Sequence, residues 1–96
     1  MKYDMDENEA MATLRRHGIG WDKPSDPWII TLNGQKVGTQ IQVQTGHKSG
    51  RPHVSEFFDE KGRMLALISA RTSSCATMAF AELYLGVNFN MEKEAV

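Results

Sequence analysis

Acidic residues are missing from the middle of this 96-residue chain. Residues 27–55 contain Lys36, Lys48 and Arg51 but no Asp or Glu, whereas the segments on either side each contain six acids and four Lys or Arg. The whole chain carries a net charge of −1, which excludes a protein that seeks polyanions with its entire surface. A site for an acidic partner is therefore expected in the central segment.

Cysteine and long apolar runs are also scarce. Cys75 has no second cysteine for an internal disulfide, and the N-terminus lacks the apolar segment of a secretory signal, so a cytoplasmic protein is expected. The least polar run, residues 75–87, is too short for a membrane span, which needs about 20 residues. The length predicts one domain, 1–96, with frayed ends at 1–5 and 88–96.

Apolar periodicity and turn residues predict an α+β fold. An N-terminal helix is expected over residues 6–17, because Asp6 and Glu9 fit a capping box at its start. Gly18 supplies the left-handed residue that commonly follows the last helical turn. The segment GWDKPSDP comes next and is expected to form a loop, since its prolines interrupt regular pairing.

The dipeptide Asn33-Gly34 predicts a two-residue turn between two strands, because a type I′ turn needs positive φ at both positions. The resulting register pairs Trp28 with Thr39. It places one set of side chains on the buried face of the sheet: Trp28, Ile30, Val37, Ile41 and Val43. It places a polar set on the opposite face: Lys36, Gln40, Gln42 and Gln44.

A second hairpin is predicted from residues 53–58 and 63–70, with Gly62 left-handed at the end of its turn. Its register gives two cross-strand pairs, Phe57 with Leu65 and Phe58 with Met64. A final helix is expected over residues 73–86. The expected architecture is an N-terminal helix, two β-hairpins forming a four-stranded mainly antiparallel sheet, and an apolar C-terminal helix packed on the sheet.

The C-terminal helix is apolar almost all round, with Glu82 as its only charge. A helix of this kind needs cover on more than one side, and the unbroken apolar strand MLALISA needs the same. The chain is therefore expected to form a homodimer or to bind a tight heteromeric partner, the alternative being that the first helix and the loops supply the cover. The interface is expected to use apolar side chains of this strand and helix: Met78, Leu65, Leu67, Tyr84 and Leu85.

The basic, glycine-rich segment TGHKSGRPH offers backbone amides and cations to an acidic surface, and its histidines add charge below neutral pH. Binding residues also concentrate on loops of this kind. We therefore expect a small non-catalytic protein-binding regulator or inhibitor with an acidic protein partner. The expected contact residues lie in this segment and on the polar strand face: Lys36, Gln40, Gln42, Gln44, His47, Lys48, Arg51 and His53.

A nucleic-acid-binding module that uses residues 46–53 is the alternative interpretation. The segment GRPHVSEFF is similar to the G-x-P-H-x-x-x-F segment of double-stranded-RNA-binding domains. Those domains begin their last helix with phosphate-binding lysines, whereas this chain has SSCAT there, so it is not assigned to that family. Two firm cations also fall short of the several phosphate contacts that useful affinity needs.

A third interpretation is a small enzyme or anion-binding carrier around Arg71–Cys75. Arg71, Thr72, Ser73 and Ser74 are expected to meet the free amides at the start of the last helix, where an anion binds readily. The alternatives are a plain N-cap at Thr72 or Ser73 and a buried thiol at Cys75. No catalytic set, metal site or cofactor is predicted, because the histidines and the cysteine lack ligand spacing.

Overall fold

The computed structural model describes residues 3–22, 27–45 and 51–89. Two helices and five strands follow one another along the chain: α1 (Glu7–Arg16), β1 (Ile19–Trp21), β2 (Trp28–Leu32), β3 (Gln35–Gln44), β4 (His53–Phe58), β5 (Met64–Ala70) and α2 (Ser73–Tyr84). The strands form an antiparallel sheet in sequence order, and the helices pack on each other and on one face of it. The predicted α+β class is confirmed, but the sheet has five strands rather than four.

α1 begins and ends where the sequence predicts. The Asp6 carboxylate accepts a hydrogen bond from the Glu9 backbone N–H at 2.8 Å, and Gly18 has φ +80° after the last turn. Gly18 turns the chain back along the sheet, and its carbonyl accepts a hydrogen bond from the Asn33 N–H at 2.7 Å. This contact aligns Ile19 with the end of β2 and starts the unpredicted strand β1.

The turn between β2 and β3 forms as predicted, but a β-bulge changes the register beyond it. Asn33 and Gly34 both have positive φ, as a type I′ turn requires. Two residues further along, Ile30 pairs with Gly38, because Val37 is the extra residue of a bulge. A shift of one residue moves every later side chain of β3 to the opposite face of the sheet.

Because of this shift, the side chains of β3 just beyond the bulge lie on the faces opposite to those predicted, which corrects the prediction. Trp28 pairs with Gln40 rather than with Thr39, and the Gln40 side chain is fully buried. Val43, which was expected in the core, is 50% exposed. Ile41 lies on the face opposite to Gln40, away from the helices.

The carboxamide of Gln40 is hydrogen-bonded on both of its ends inside the protein. Its Nε2 donates to Ser55 Oγ at 3.1 Å and to the Ser73 carbonyl oxygen at 3.2 Å. Its Oε1 accepts a hydrogen bond from the Thr77 hydroxyl at 2.6 Å. These three partners come from β4 and α2, so the Gln40 side chain connects β3 to the neighbouring strand and to the last helix.

An aromatic stack next to this network holds α2 on the sheet. The rings of Phe57 and Phe80 are nearly parallel, with centroids 4.6 Å apart. Gly38 leaves the room for this arrangement, since a Cβ there would lie 2.7 Å from the Phe58 carbonyl oxygen and 3.4 Å from Phe80 Cζ. The glycine in β3 therefore serves close packing rather than an unusual backbone angle.

α2 is buried largely within one chain, since the sheet covers one side and α1 another. The predicted interface residues consequently differ in exposure. Met78 is 1% exposed and offers no surface to a second chain, which corrects its assignment to an interface. Leu65 and Leu85 are half-buried, while Leu67 and Tyr84 are exposed.

β4 and β5 form the second predicted hairpin, with the expected left-handed glycine in its turn. Phe58 pairs with Met64 as predicted. Phe57 pairs with Ala66 instead of Leu65, because a bulge in this hairpin makes Leu65 the extra residue of β5. The non-alternating apolar pattern of this strand thus comes partly from the bulge.

The prediction of frayed ends does not hold for Tyr3 and Phe89. Both side chains are buried and meet edge to face, with ring centroids 5.7 Å apart. The Tyr3 hydroxyl donates a hydrogen bond to the Glu82 carboxylate on α2. Burial, followed by this hydrogen bond, raises the pKa of the Tyr3 hydroxyl well above its ordinary value.

We expect Gly38→Ala to lower the free energy of unfolding by about 1–3 kcal/mol, because the added methyl group would lie 2.7 Å from the Phe58 carbonyl oxygen of the neighbouring strand. Gly20→Ala is the matched control in β1, where the nearest atom to an added Cβ is Thr31 Oγ1 at 3.7 Å. Urea unfolding measures both. Equal midpoints for the two variants would contradict the packing assigned to Gly38.

Candidate functional site

The residues predicted to contact a protein partner do not form one surface. Gln40 lies in the core and has no atom for a partner to touch. Lys36 and Arg51 are exposed but lie at opposite ends of the sheet, because β3 runs between them. His47 and Lys48 lie outside the described residues.

Three other predicted contact residues hold the ends of β3 and β4 together. Gln42 Nε2 lies 3.2 Å from His53 Nδ1, and Gln44 Nε2 donates to the Pro52 carbonyl oxygen at 2.9 Å. Their polar groups are therefore used within the chain. These contacts account for Gln42 and Gln44 without an external partner.

The predicted anion site at the start of α2 forms, but the chain fills it with its own carboxylate. Ser73 Oγ donates to Glu7 Oε2 at 3.1 Å, and the Ser74 backbone N–H donates to Glu7 Oε1 at 3.2 Å. Thr72 is the N-cap, and its hydroxyl accepts the Cys75 N–H at 3.1 Å. A negative charge is favourable at a helix N-terminus, so Glu7 joins the two helices by charge as well as by hydrogen bonds.

Arg71 also has a partner within the chain. Its Nη1 lies 3.4 Å from Asp4 Oδ1, and both side chains are largely exposed. An exposed pair of this kind adds little stability. The predicted anion-binding residues are thus brought together, with acidic side chains of the N-terminal segment already beside them.

Cys75 is fully buried, and its Sγ lies 3.3 Å from the Met5 carbonyl oxygen, to which the thiol donates. A buried thiol bonded to the backbone is protected from solvent and acts as a small packing residue. Among the residues that the structure describes, no group of three or more His, Cys, Asp or Glu side chains is placed to hold a metal ion.

A partly open cleft of about 560 Å³ lies where α1 crosses the edge of the sheet near the start of α2. We call it the tryptophan cleft. Trp21 and Trp28 stand beside each other in it, with ring centroids 6.0 Å apart and an interplanar angle of 73°. Its lining residues come from α1, β1, β2 and α2: Glu7, Met11, Arg15, Gly20, Trp21, Trp28, Ser73 and Ser74.

Sequence reasoning missed the tryptophan cleft, although one signal for it was present. Glu7, Met11 and Arg15 are spaced four residues apart, which places them on one face of α1. The pairing of β1 with β2 brings the two tryptophans together, and that pairing depends on a three-residue strand that overlaps the start of the segment predicted as a loop.

The second candidate surface is the side of the sheet turned away from the helices, which we call the open sheet face. No helix of the described part of the chain packs on it. Met64 and Leu67 are 50% and 60% exposed there. Alternation along the strands adds apolar and polar neighbours: Ile29, Thr39, Ile41, Val54 and Phe58, with Lys36 and Glu56 as the charged members.

Comparisons of the chain with protein families, with curated proteins and with solved structures found no match. In the described ranges, no helix has both the length and the apolar character needed to cross a membrane. The tryptophan cleft and the open sheet face are therefore the geometric basis for assigning a function.

We expect Glu7→Ala to lower the free energy of unfolding by about 1–2 kcal/mol, because it removes the carboxylate from the start of α2. Glu9→Ala is the control, since Glu9 also lies in the first turn of α1 but has an exposed side chain. Thermal unfolding of the two variants compares them directly. A Glu9→Ala protein as destabilised as Glu7→Ala would show that the contact with α2 contributes nothing.

Proposed function

We propose that the chain is a small non-catalytic protein-binding domain, of the regulator or inhibitor type, that acts as a homodimer through its open sheet face. The observation that carries this proposal is the uncovered apolar side of an otherwise well-packed sheet. Exposed contiguous apolar surface of this kind is typical of interaction sites in small domains.

The apolar side chains of the open sheet face form rows that cross neighbouring strands. Thr39 pairs with Phe58 and Phe58 with Met64 across β3, β4 and β5. Ile41 and Leu67 flank Glu56 in the next row. Flat rows of this type favour sheet-on-sheet packing, in which two faces interdigitate about 10 Å apart.

A second copy of the chain is the occupant that charge complementarity favours. Lys36 and Glu56 are the charged residues of the open sheet face, and neither pairs with another described residue. A twofold axis near Thr39, between these two positions, would bring each Lys36 toward Glu56 of the other copy. An isologous interface requires this kind of reciprocal match.

The size of the open sheet face suits a dimer of modest affinity. Five strands spaced about 4.8 Å apart and about six residues long cover roughly 20 by 20 Å. That footprint of roughly 400 Å² is about half of the 800 Å² that a standard specific interface buries on each partner, so the dimer is expected to be weak. The predicted contact between residues 46–53 and an acidic protein lies mostly outside the described residues and stays a sequence-based prediction.

We expect the protein to sediment as a dimer, with twice the 10.8 kDa mass of the chain, at high micromolar concentration. Leu67→Glu should give a monomer, because it buries a charge without a partner in the interface. Leu83→Glu is the control, since Leu83 is an equally exposed leucine on α2, away from the open sheet face. A monomeric wild-type protein at every concentration, or equal effects of the two variants, would overturn the proposal.

Reversing the charges of Lys36 and Glu56 tests the proposed ionic contact between the two copies. Lys36→Glu and Glu56→Lys should each weaken the dimer, because each places like charges opposite one another. The double variant should recover much of the lost affinity. Dissociation constants from sedimentation equilibrium test this, and a double variant weaker than both single variants would argue against the proposed axis.

A further inference from the structure

We propose that the tryptophan cleft binds a small aromatic molecule that carries one anionic group, such as a carboxylate or a sulfonate. The cleft is on the helix side of the sheet and the open sheet face is on the other side, so this site is separate from the proposed dimer interface. The aromatic walls of the cleft and the exposed arginine at its side support this ligand.

The walls of the cleft suit a flat apolar body. Trp21 and Trp28 present two indole rings at a steep angle, and Met11 from α1 adds a flexible apolar contact. The volume of about 560 Å³ lies within the range of about 300–1,000 Å³ typical of small-molecule sites. A planar ring can rest on one indole face while its edge meets the other.

The cleft lining contains one acidic residue, Glu7, and one cationic residue, Arg15. Both oxygens of the Glu7 carboxylate accept hydrogen bonds from Ser73 and Ser74, which hold it at the start of α2. Arg15 lies two helical turns further along α1, is exposed, and forms no ion pair with a described residue. An arginine without a partner beside an apolar cleft is suited to receive a carboxylate or a sulfonate.

The indole N–H of Trp21 is the unsatisfied donor. It is buried and lacks a hydrogen-bond acceptor within the described part of the chain. Indole nitrogen donates and does not accept, so only an acceptor can satisfy it. Because this nitrogen has almost no accessible surface, a ligand oxygen would reach it only after the indole ring turns toward the cleft, whereas an anionic group would meet exposed Arg15 directly.

Two fluorescent probes that share an aromatic body but differ in charge test this site. The anionic probe is 1-anilinonaphthalene-8-sulfonate and the neutral probe is N-phenyl-1-naphthylamine. Trp21 and Trp28 are the two tryptophans of the chain, so quenching of tryptophan emission by energy transfer reports binding beside them. We expect saturable one-to-one binding of the anionic probe with matching quenching.

Two neighbouring arginines supply the matched variants. Arg15→Gln should weaken binding of the anionic probe about tenfold, as loss of a charge-assisted hydrogen bond predicts, and leave the neutral probe within about twofold. Arg16→Gln should change neither, because Arg16 Nη2 donates to Thr13 and Arg16 does not line the cleft. Circular dichroism confirms that each variant is folded.

Leu67→Glu distinguishes binding of the probe in the tryptophan cleft from binding of the probe on the open sheet face. That variant should bind the anionic probe as the wild-type protein does, so the ligand site and the dimer proposal fail or succeed separately. Absence of saturable quenching would overturn the ligand site. Equal weakening by Arg15→Gln and Arg16→Gln, or loss of binding in Leu67→Glu, would overturn it too.

Discussion

The buried carboxamide of Gln40 is the contact on which the arrangement of this domain depends. It joins β3 to Ser55 of β4 and to Ser73 and Thr77 of α2. A buried amide left without partners costs about 1–3 kcal/mol for each unsatisfied group, which is a large share of the stability of a small domain. The register that satisfies Gln40 is therefore strongly preferred, and the bulge at Val37 provides it.

One extra residue in β3 also decides what each side of the sheet presents. Because Gln40 is buried, Ile41 points to the opposite face of the sheet. There it lies in one cross-strand row with Glu56 of β4 and Leu67 of β5. The same register that completes the polar network therefore leaves an apolar face on which no helix of the described residues packs, and the proposed dimer would cover it. On the helix side, Glu7 accepts hydrogen bonds at the start of α2, and Arg15 is the cationic residue of the tryptophan cleft, with no ion pair to a described residue.

Local signals in the sequence predicted the elements, and long-range packing decided their details. The caps of α1, the Asn33-Gly34 turn and the N-cap at Thr72 depend on neighbouring residues, and all three were predictable. The facing of β3 was not, because alternation and turn type both assume a ladder without bulges. The capture of the α2 N-terminus by Glu7 was equally hidden, since it joins residues 67 apart in the chain.

Hydrogen exchange of glutamine side-chain amides, followed by NMR, tests the register most directly. The account predicts that the Gln40 side-chain NH₂ exchanges slowly, with contacts to Thr77 and Ser55, while exposed Gln35 exchanges at the rate of a free amide. Fast exchange of Gln40, with Ile41 in contact with α2, would show that β3 follows an unbulged register. β3 would then present glutamines in place of Thr39 and Ile41 in the middle of the open sheet face, and the apolar rows on which the proposed dimer depends would be interrupted.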